Sequence, residues 1–512
     1  MGISATASAR RSRGARLWNL GAIWAVNIAI QLQRGEVSSL QDQLFEQLRQ
    51  MILTGKLKPN SRVIATRFLA DQLDVSRTTV LLAYERLISE GYLETRPAVG
   101  TFVSTTPPAS PKANRQRAPA TAWARPDDSH TAHGSAAVAA SPSTPSVLYD
   151  FRPQAADASH ELGRKVWMQA IRSVFARESV IGEACHSPAG ARVLRSVIAD
   201  HLAVTRGVMT SPDQVIIVGG RRQACSLISH LFLRRGDRVV VESPGDDQIN
   251  DFFSARGAHL ERTPVDDRGL DTARLPDGPV SLAYVTPARQ CPVGGTLPAE
   301  RREALLTWAL ASGAHLIEDD VDNELRYRGT TPPPLAATDP HGLVFYCGSF
   351  SRTLGEGFRL GYIVAPSEFV EPLLAIKRMG EGSGSWLEHA VLAKLIASGD
   401  YDHHLRRVRK IYLERRDVVV EALKARFGTV RLIGAELGAS LTWVLPNTFP
   451  SATAASEAAR ARGVHAEPLL CDDEASAAAC RLHDRALLLG YRGQTVDQLR
   501  AGVGRLADAL DA

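Results

Sequence analysis

Residues 66–90 read TRFLADQLDVSRTTVLLAYERLISE. Two helices are compressed into this stretch. Thr66–Leu73 sets Leu69 and Leu73 on one face, with Thr66 expected as its N-cap. Ser76–Glu90 carries Val80, Tyr84 and Leu87 at helical spacing, with Ser76 as the next N-cap. Only Asp74-Val75 separates them, which is the helix-turn-helix pattern. The second helix opens Ser76-Arg77-Thr78-Thr79, so its exposed first turn presents one cation and several hydroxyls. Such groups suit phosphate and base-edge contacts in a major groove. A helix pair used only for packing would need the same apolar positions, so the core pattern alone does not choose.

Working outward, residues 40–54 place Leu40, Leu44, Leu48 and Met51 at helical spacing, and Gly55 ends that helix. Downstream, Gly91 stops the second helix of the pair. Tyr92–Thr95 and Thr101–Ser104 then read as two strands around Arg96–Gly100, a small wing. With Arg67, Leu69-Ala70, Leu73, Val75-Ser76-Arg77, Thr79-Val80, Ala83-Tyr84, Leu87, Glu90-Gly91-Tyr92-Leu93 and Gly100-Thr101-Phe102-Val103 in place, the segment resembles the GntR-type winged helix. That resemblance implies that Arg67, Arg77 and Thr79 face DNA and that Gly100 approaches the minor groove. Candidate DNA-binding residues are Arg67, Ser76, Arg77, Thr78, Thr79, Arg96 and Gly100.

The whole chain has 512 residues, 44% hydrophobic and 22% charged, with a net charge of +5. This is globular composition, enough for about three domains of ~150 residues, and it excludes dominant disorder. The charge is unevenly placed. Residues 1–36 carry five Arg and one Glu, residues 37–104 eight basic and seven acidic groups, and residues 105–146 four and two. The remainder is slightly acidic. A basic front on an ordinary body fits either a nucleic-acid-facing end or a solvated tail.

Four further observations bound the class. Residues 105–146 are rich in Pro, Ala, Ser and Thr and read as a flexible linker. Cys185, Cys225, Cys291, Cys347, Cys471 and Cys480 have no CxxC spacing and no accompanying His cluster, which argues against zinc and for a reducing, cytoplasmic setting. The apolar run Leu17–Ile30 behind Arg10, Arg11, Arg13 and Arg16 mimics a signal peptide, but Asn19 and Asn27 interrupt it. No other stretch suits a membrane span.

From Val147 onward, β-rich runs alternate with helical ones. Gln214–Val218, Arg238–Glu242, Leu282–Val285, His315–Glu318 and Leu343–Tyr346 read as strands, and Arg221–Arg234 and Ala299–Ser312 as helices. The alternation predicts an α/β domain with a mostly parallel sheet. Val218-Gly219-Gly220-Arg221 leaves a strand and opens a helix, a turn that can cradle phosphate. Glu318-Asp319-Asp320 ends another strand, either in a ligand crevice or as a plain strand cap.

The runs Gly190–Val208, Gly236–Gly245, Tyr284–Gly294, Ile317–Tyr327, Gly348–Ala365 and Gly399–Asp417 together resemble fold-type I aminotransferases. More closely, the chain resembles the MocR/GabR-type regulators, which fuse such a domain to a winged helix. The resemblance implies a winged helix at 37–104 behind a basic tail at 1–36. It also implies a linker at 105–146 and, at 147–512, a mostly parallel sheet with a small C-terminal α+β lobe. The implied cofactor is pyridoxal phosphate, bound through a lysine imine in a Ser-Lys-Thr-Leu type motif. Here that position is Arg352. An arginine is never a neutral amine, so it cannot attack an aldehyde. Binding would be non-covalent at most, through Gly219, Gly220, Arg221, Asp319 and Arg359.

Other departures accumulate. Val321 stands where the family has a tyrosine, Arg289-Gln290 for a His-Gln pair, Cys291 before the Pro, Asp246 for another tyrosine, and Gly220-Arg221-Arg222-Gln223 in the phosphate cradle. Arg221, Arg222, Arg289 and Arg352 would crowd cations near the old pocket, and Arg492 loosely matches a substrate-carboxylate arginine. Solvent-facing arginines are the plainer reading. Arg289, Arg352 and Arg492 are therefore candidate effector residues for a small phosphorylated or dicarboxylic anion.

The expected protein is a homodimeric, cytoplasmic regulator of a double-stranded DNA operator, with no bound metal. The resemblance implies the homodimer, with each winged helix resting on the partner's large domain. The alternatives are an active aminotransferase with a DNA-binding appendage and a DNA-binding dimer whose large domain is purely structural.

Overall fold

The computed structural model describes residues 30–33, 38–107, 147–154, 162–176 and 187–511, apart from positions 321, 331, 356, 381, 383, 450 and 472. Val321, Cys185, the signal-like run up to Asn27 and most of the linker lie outside the described residues. The chain divides into two compact units, one holding residues 30–107 and the other residues 147–511.

The first unit contains α1 (Leu40–Leu53), α2 (Thr66–Leu73) and α3 (Arg77–Ser89). A hairpin of β1 (Leu93–Arg96) and β2 (Gly100–Val103) completes it. Ser76 caps α3, its Oγ accepting from the Thr79 amide at 3.0 Å. The expected cap at Thr66 is corrected. Ala65 is the N-cap of α2, extended at φ −62°, ψ 140° and without a side-chain bond, and its carbonyl accepts the Leu69 amide at 3.0 Å. Thr66 is therefore the first helical residue. The left-handed Asp74 at φ 52° ends α2 and permits the tight turn into α3. Leu44, Leu48, Leu69, Val80, Tyr84, Leu87 and Val103 form a core contained in this unit, with Leu73 at its edge.

In the second unit, β3 (Tyr149–Asp150) precedes the strands of the large sheet. These are β4 (Val215–Val218), β5 (Arg238–Ser243), β6 (His259–Asp266), β7 (Gly269–Leu270), β8 (Leu282–Val285), β9 (His315–Asp319), β10 (Val344–Ser349) and β11 (Gly361–Val364). Their order is β4-β11-β10-β9-β8-β5-β6-β7. The run from β10 to β6 is parallel, while β11 opposes both neighbours and β7 opposes β6. The mostly parallel sheet expected from the sequence is present. β4 shows why it reads as an unbroken apolar run. Val215 and Ile217 enter the core on one face, and Ile216 and Val218 the core on the other. The helix Arg221–Phe232 follows β4 directly.

A C-terminal lobe holds β12 (Arg431–Ile433), β13 (Ser440–Val444), β14 (Val464–His465), β15 (Glu467–Pro468) and β16 (Ala486–Gly490). Four of them form the antiparallel sheet β12-β13-β16-β15, and β14 pairs with β3. Trp443, Leu487 and Tyr491 pack here against the helices Asp400–Phe427 and Val496–Leu510. β4, β5, β8, β9 and β10 all present their carboxyl ends on one side of the large sheet. The loops that leave them gather there, as open α/β sheets require of a ligand crevice.

Candidate functional site

Two sites emerge, one in each unit. In the winged helix, Arg67 on α2 and Arg77 and Thr78 at the start of α3 are exposed. Neither arginine makes an ion pair among the described residues. Ser76 and Thr79 share a hydroxyl–hydroxyl hydrogen bond of 2.8 Å, and Ser76 also holds the cap, so their oxygens first serve to order the helix start. Arg96 is tied down instead. Its Nε donates to Glu94 at 3.0 Å, its Nη2 reaches Asn60, and its guanidinium lies 4.4 Å over the Phe102 ring.

Gly100 has φ +133°, and a Cβ there would meet Arg62 Nε at 2.9 Å. It is a glycine because Arg62 crosses the base of the wing. Sequence reasoning missed Arg62, which is exposed beside the wing, and Leu81, which is 43% exposed one turn beyond Arg77. An apolar side chain off the buried stripe of α3 was the available signal for Leu81.

In the large unit, a cavity of about 460 Å³ opens at the carboxyl ends of β4 and β10. Arg221, Arg222, Arg352 and Arg359 line it, with Gly219, Gly220, Ser349 and Ser351. Gly219 donates its amide to Gln223, Arg222 bonds Gln248, and Ser351 Oγ bonds the Phe358 carbonyl at 2.8 Å. The arginines expected in one crevice are thus divided. Arg221, Arg222 and Arg352 share the cavity, while Arg289 and Arg492 are not among its lining residues. Arg289 is drawn toward the C-terminal lobe. It passes over Gly438 and donates from Nη2 to the Ser440 carbonyl at 3.0 Å and to Ser440 Oγ at 2.8 Å. Arg492 is 1% exposed.

Three carboxylates, none of them among the lining residues of that cavity, answer these cations. Asp322 lies 3.7 Å from Arg289 and 3.8 Å from Arg352. Burial alone would push its carboxyl up, but Arg352, Arg289, Arg492 and Arg221 outweigh that and hold it below the usual carboxylate range. Asp246 pairs with Arg221 at 2.5 Å. Asp319, at the end of β9, accepts the Tyr284 hydroxyl and lies 3.8 Å from Arg221. Burial works against the Arg221 charge, but Tyr284, Asp319 and Asp246 keep it a firm cation.

Neighbouring Asp320 belongs to a different network. It binds Arg206 at 2.8 and 2.9 Å and the Tyr346 hydroxyl at 2.5 Å. Sequence reasoning missed Asp322 and Tyr284 as partners. The fourth carboxylate of the Glu318–Asp322 run was the only hint.

The comparisons agree with this two-part architecture. Residues 40–103 match the family model of bacterial regulatory proteins of the gntR family, and residues 156–473 that of aminotransferase class I and II. The HTH-type pyridoxine biosynthesis transcriptional regulator PdxR of Corynebacterium glutamicum is 32% identical over 94% of this chain and 99% of its own length. The chain belongs to the MocR-type transcriptional regulators. The probable rhizopine catabolism regulatory protein MocR of Rhizobium meliloti is 31% identical, covering 94% of this chain and 95% of its own length. Among solved structures, the multiple substrate aminotransferase of Thermococcus profundus matches with a TM-score of 0.63 and 25% identity, over 72% of this chain and 92% of its own. This MocR-type regulator thus joins a GntR helix-turn-helix to an aminotransferase fold. No helix among its described residues is long and apolar enough to cross a membrane.

The fold family uses pyridoxal phosphate, and the residues present fit only one end of it. Ser349, Ser351, Arg359 and the Gly219-Gly220 turn suit a phosphate. The ring end does not fit. The Asp319 side chain is 2% exposed, engaged by Tyr284 and Arg221, and absent from the cavity lining.

Proposed function

We propose that this MocR-type regulator reads a DNA operator as a homodimer and that its large domain senses an anion instead of transferring amino groups. The observation that carries the reading is the cavity of about 460 Å³ walled by Arg221, Arg222, Arg352 and Arg359. Several guanidinium groups on one cavity favour a multiply charged oxyanion, because each can donate two aligned hydrogen bonds. Arg352 in the place of the imine-forming lysine supports the loss of catalysis, since a guanidinium is neither nucleophile nor proton shuttle at neutral pH. Pyridoxal phosphate would be held non-covalently at most.

On the DNA side, Arg67, Arg77 and Thr78 would make the direct contacts. Ser76 and Thr79 would present the α3 N-terminus to a phosphate, and Arg96 and Gly100 would shape the wing. The setting is the cytoplasm. Effector binding would act by biasing the spacing of the two winged helices in the dimer.

The test is a thermal-shift titration of the full chain with inorganic phosphate, paired with borohydride treatment after incubation with pyridoxal phosphate. The expected result is saturable stabilisation by phosphate, lost in Arg352→Ala, and no cofactor trapped at the cavity. A reduced adduct mapped to the 349–359 segment would restore the enzyme reading. Absence of any anion effect would favour a purely structural large domain.

A further inference from the structure

The ring end of the ancestral cofactor site is closed from within. Asp319, which the resemblance to aminotransferases sets against the cofactor's pyridine nitrogen, accepts the Tyr284 hydroxyl and has the Arg221 guanidinium 3.8 Å away. The same Nη1 of Arg221 holds Asp246 at 2.5 Å, where the resemblance expects an aromatic ring. One side chain therefore supplies the positive charge that a protonated pyridine would bring and ties up two acids around it. Asp246 and Asp319 are 7% and 2% exposed at their side chains, and neither they nor Tyr284 line the cavity.

What does line it is polar throughout. Beside the arginines, serines and glycines stand Gln154, Gln223 and Gln248, with no aromatic or aliphatic side chain among the lining residues. Such walls offer nothing to the faces of a heteroaromatic ring. Amide groups beside a cation cluster do suit hydroxyls next to a phosphate.

We propose that Arg221 permanently takes the place of the cofactor's pyridinium, so that the cavity receives a hydroxylated aliphatic phosphomonoester instead of a phosphorylated pyridine. This rests on the anion-sensing reading above and specifies its ligand class. Entry of a pyridinium would require two cations to share Asp319, or Arg221 to leave Asp246. A phosphate on a hydroxylated carbon chain needs neither, and meets Arg222, Arg352 and Arg359 with Arg221 still in place.

The experiment is isothermal titration calorimetry of the full-length protein with three probes: inorganic phosphate, glycerol 3-phosphate and pyridoxine 5′-phosphate. The last keeps the ring and phosphate but has no aldehyde to react with surface lysines. Glycerol 3-phosphate is expected to bind more tightly than inorganic phosphate. Pyridoxine 5′-phosphate is expected to bind no more tightly than inorganic phosphate. In Arg221→Ala, the ring compound is expected to gain about tenfold over inorganic phosphate, a difference of about 1.4 kcal/mol.

Preference of the native protein for pyridoxine 5′-phosphate by about tenfold or more would overturn the proposal while leaving anion sensing intact. Failure of all three probes to bind would overturn both. If Arg221→Ala does not fold, the ranking of the probes on the native protein decides alone.

Discussion

Arg77 and Arg96 carry the same charge but not the same freedom. Arg77 projects from the first turn of α3 without an ion pair among the described residues, whereas Arg96 is bonded to Glu94 and Asn60 and stacked on Phe102. Arg77→Ala is therefore expected to weaken operator binding by about 1–3 kcal/mol and relax base preference, as loss of a base-reading arginine does. Arg96→Ala should cost less affinity and act mainly through a loosened wing. Fluorescence anisotropy on operator and scrambled DNA separates the two, and equal losses would show that Arg96 leaves its intramolecular partners to bind DNA.

A second residue-scale prediction concerns Glu242, buried near the carboxyl end of β5. Burial pushes its carboxyl up to about 7, against hydrogen bonds from Thr286 and Gln290 that favour the charged form. Its folded value lies above the ordinary 4.5, so the folded state binds the extra proton. Its contribution is fully present below pH 4.5 and is lost as pH rises to about 7. Glu242→Gln removes the titrating group and should flatten that fall; because its amide nitrogen would face the Gln290 Nε2 donor, the variant is expected to be less stable than the native protein at pH 5 and closer to it at pH 8. Urea unfolding of both proteins at pH 5 and pH 8 measures this; an unchanged difference between the two pH values would refute it.

At the scale of elements, α3 depends on Ser76 at its start, and the wing depends on Gly100 at its base. Ser76→Ala removes the acceptor of the Thr79 amide and is expected to lower the stability of the winged helix by about 1 kcal/mol. Thermal melting of the full chain, followed by a probe in residues 30–107, reads it. These elements were legible because they are local: the apolar stripe of α3 and the Ser-x-x-Thr start both lie within a few residues. The edges were less so. Thr66 looked like a cap because threonine often is one, yet Thr66 is already helical and the extended Ala65 before it is the cap. β10 was read to Tyr346 because the apolar run stops near there, while its last residues Gly348 and Ser349 are held by pairing to Tyr362 and Gly361. In the cavity, the excess of arginine was visible in the sequence, but its neutralisation was not. Asp322 meets Arg289 and Arg352 across gaps of about thirty residues, and Arg221 meets Asp319 across nearly a hundred. Only the gathering of strand ends makes those encounters, and no short pattern announces them.

For the whole molecule, the governing fact is where the charge lies. The winged helix holds eight basic and seven acidic residues over 37–104, so its attraction to DNA depends on orientation more than on net charge. Arg10, Arg11, Arg13 and Arg16 precede it within a strongly basic tail, and the larger unit is slightly acidic. Specificity and general attraction should therefore be separable by truncation. Each phosphate neutralised by a protein cation releases counterions and adds about 0.9 to the slope of log affinity against log salt. Removing residues 1–29, which takes away those four arginines, is expected to flatten that slope by up to about 3–4 and weaken binding to random DNA. The ratio of operator to random affinity should stay the same, because the residues of α3 proposed to face the bases remain. Arg77→Ala should do the converse, lowering the ratio while changing the slope by at most about one. A truncated protein with an unaltered salt slope would show that the tail does not touch the DNA backbone, and the winged helix would then have to supply all the electrostatic attraction from Arg67, Arg77 and their immediate neighbours.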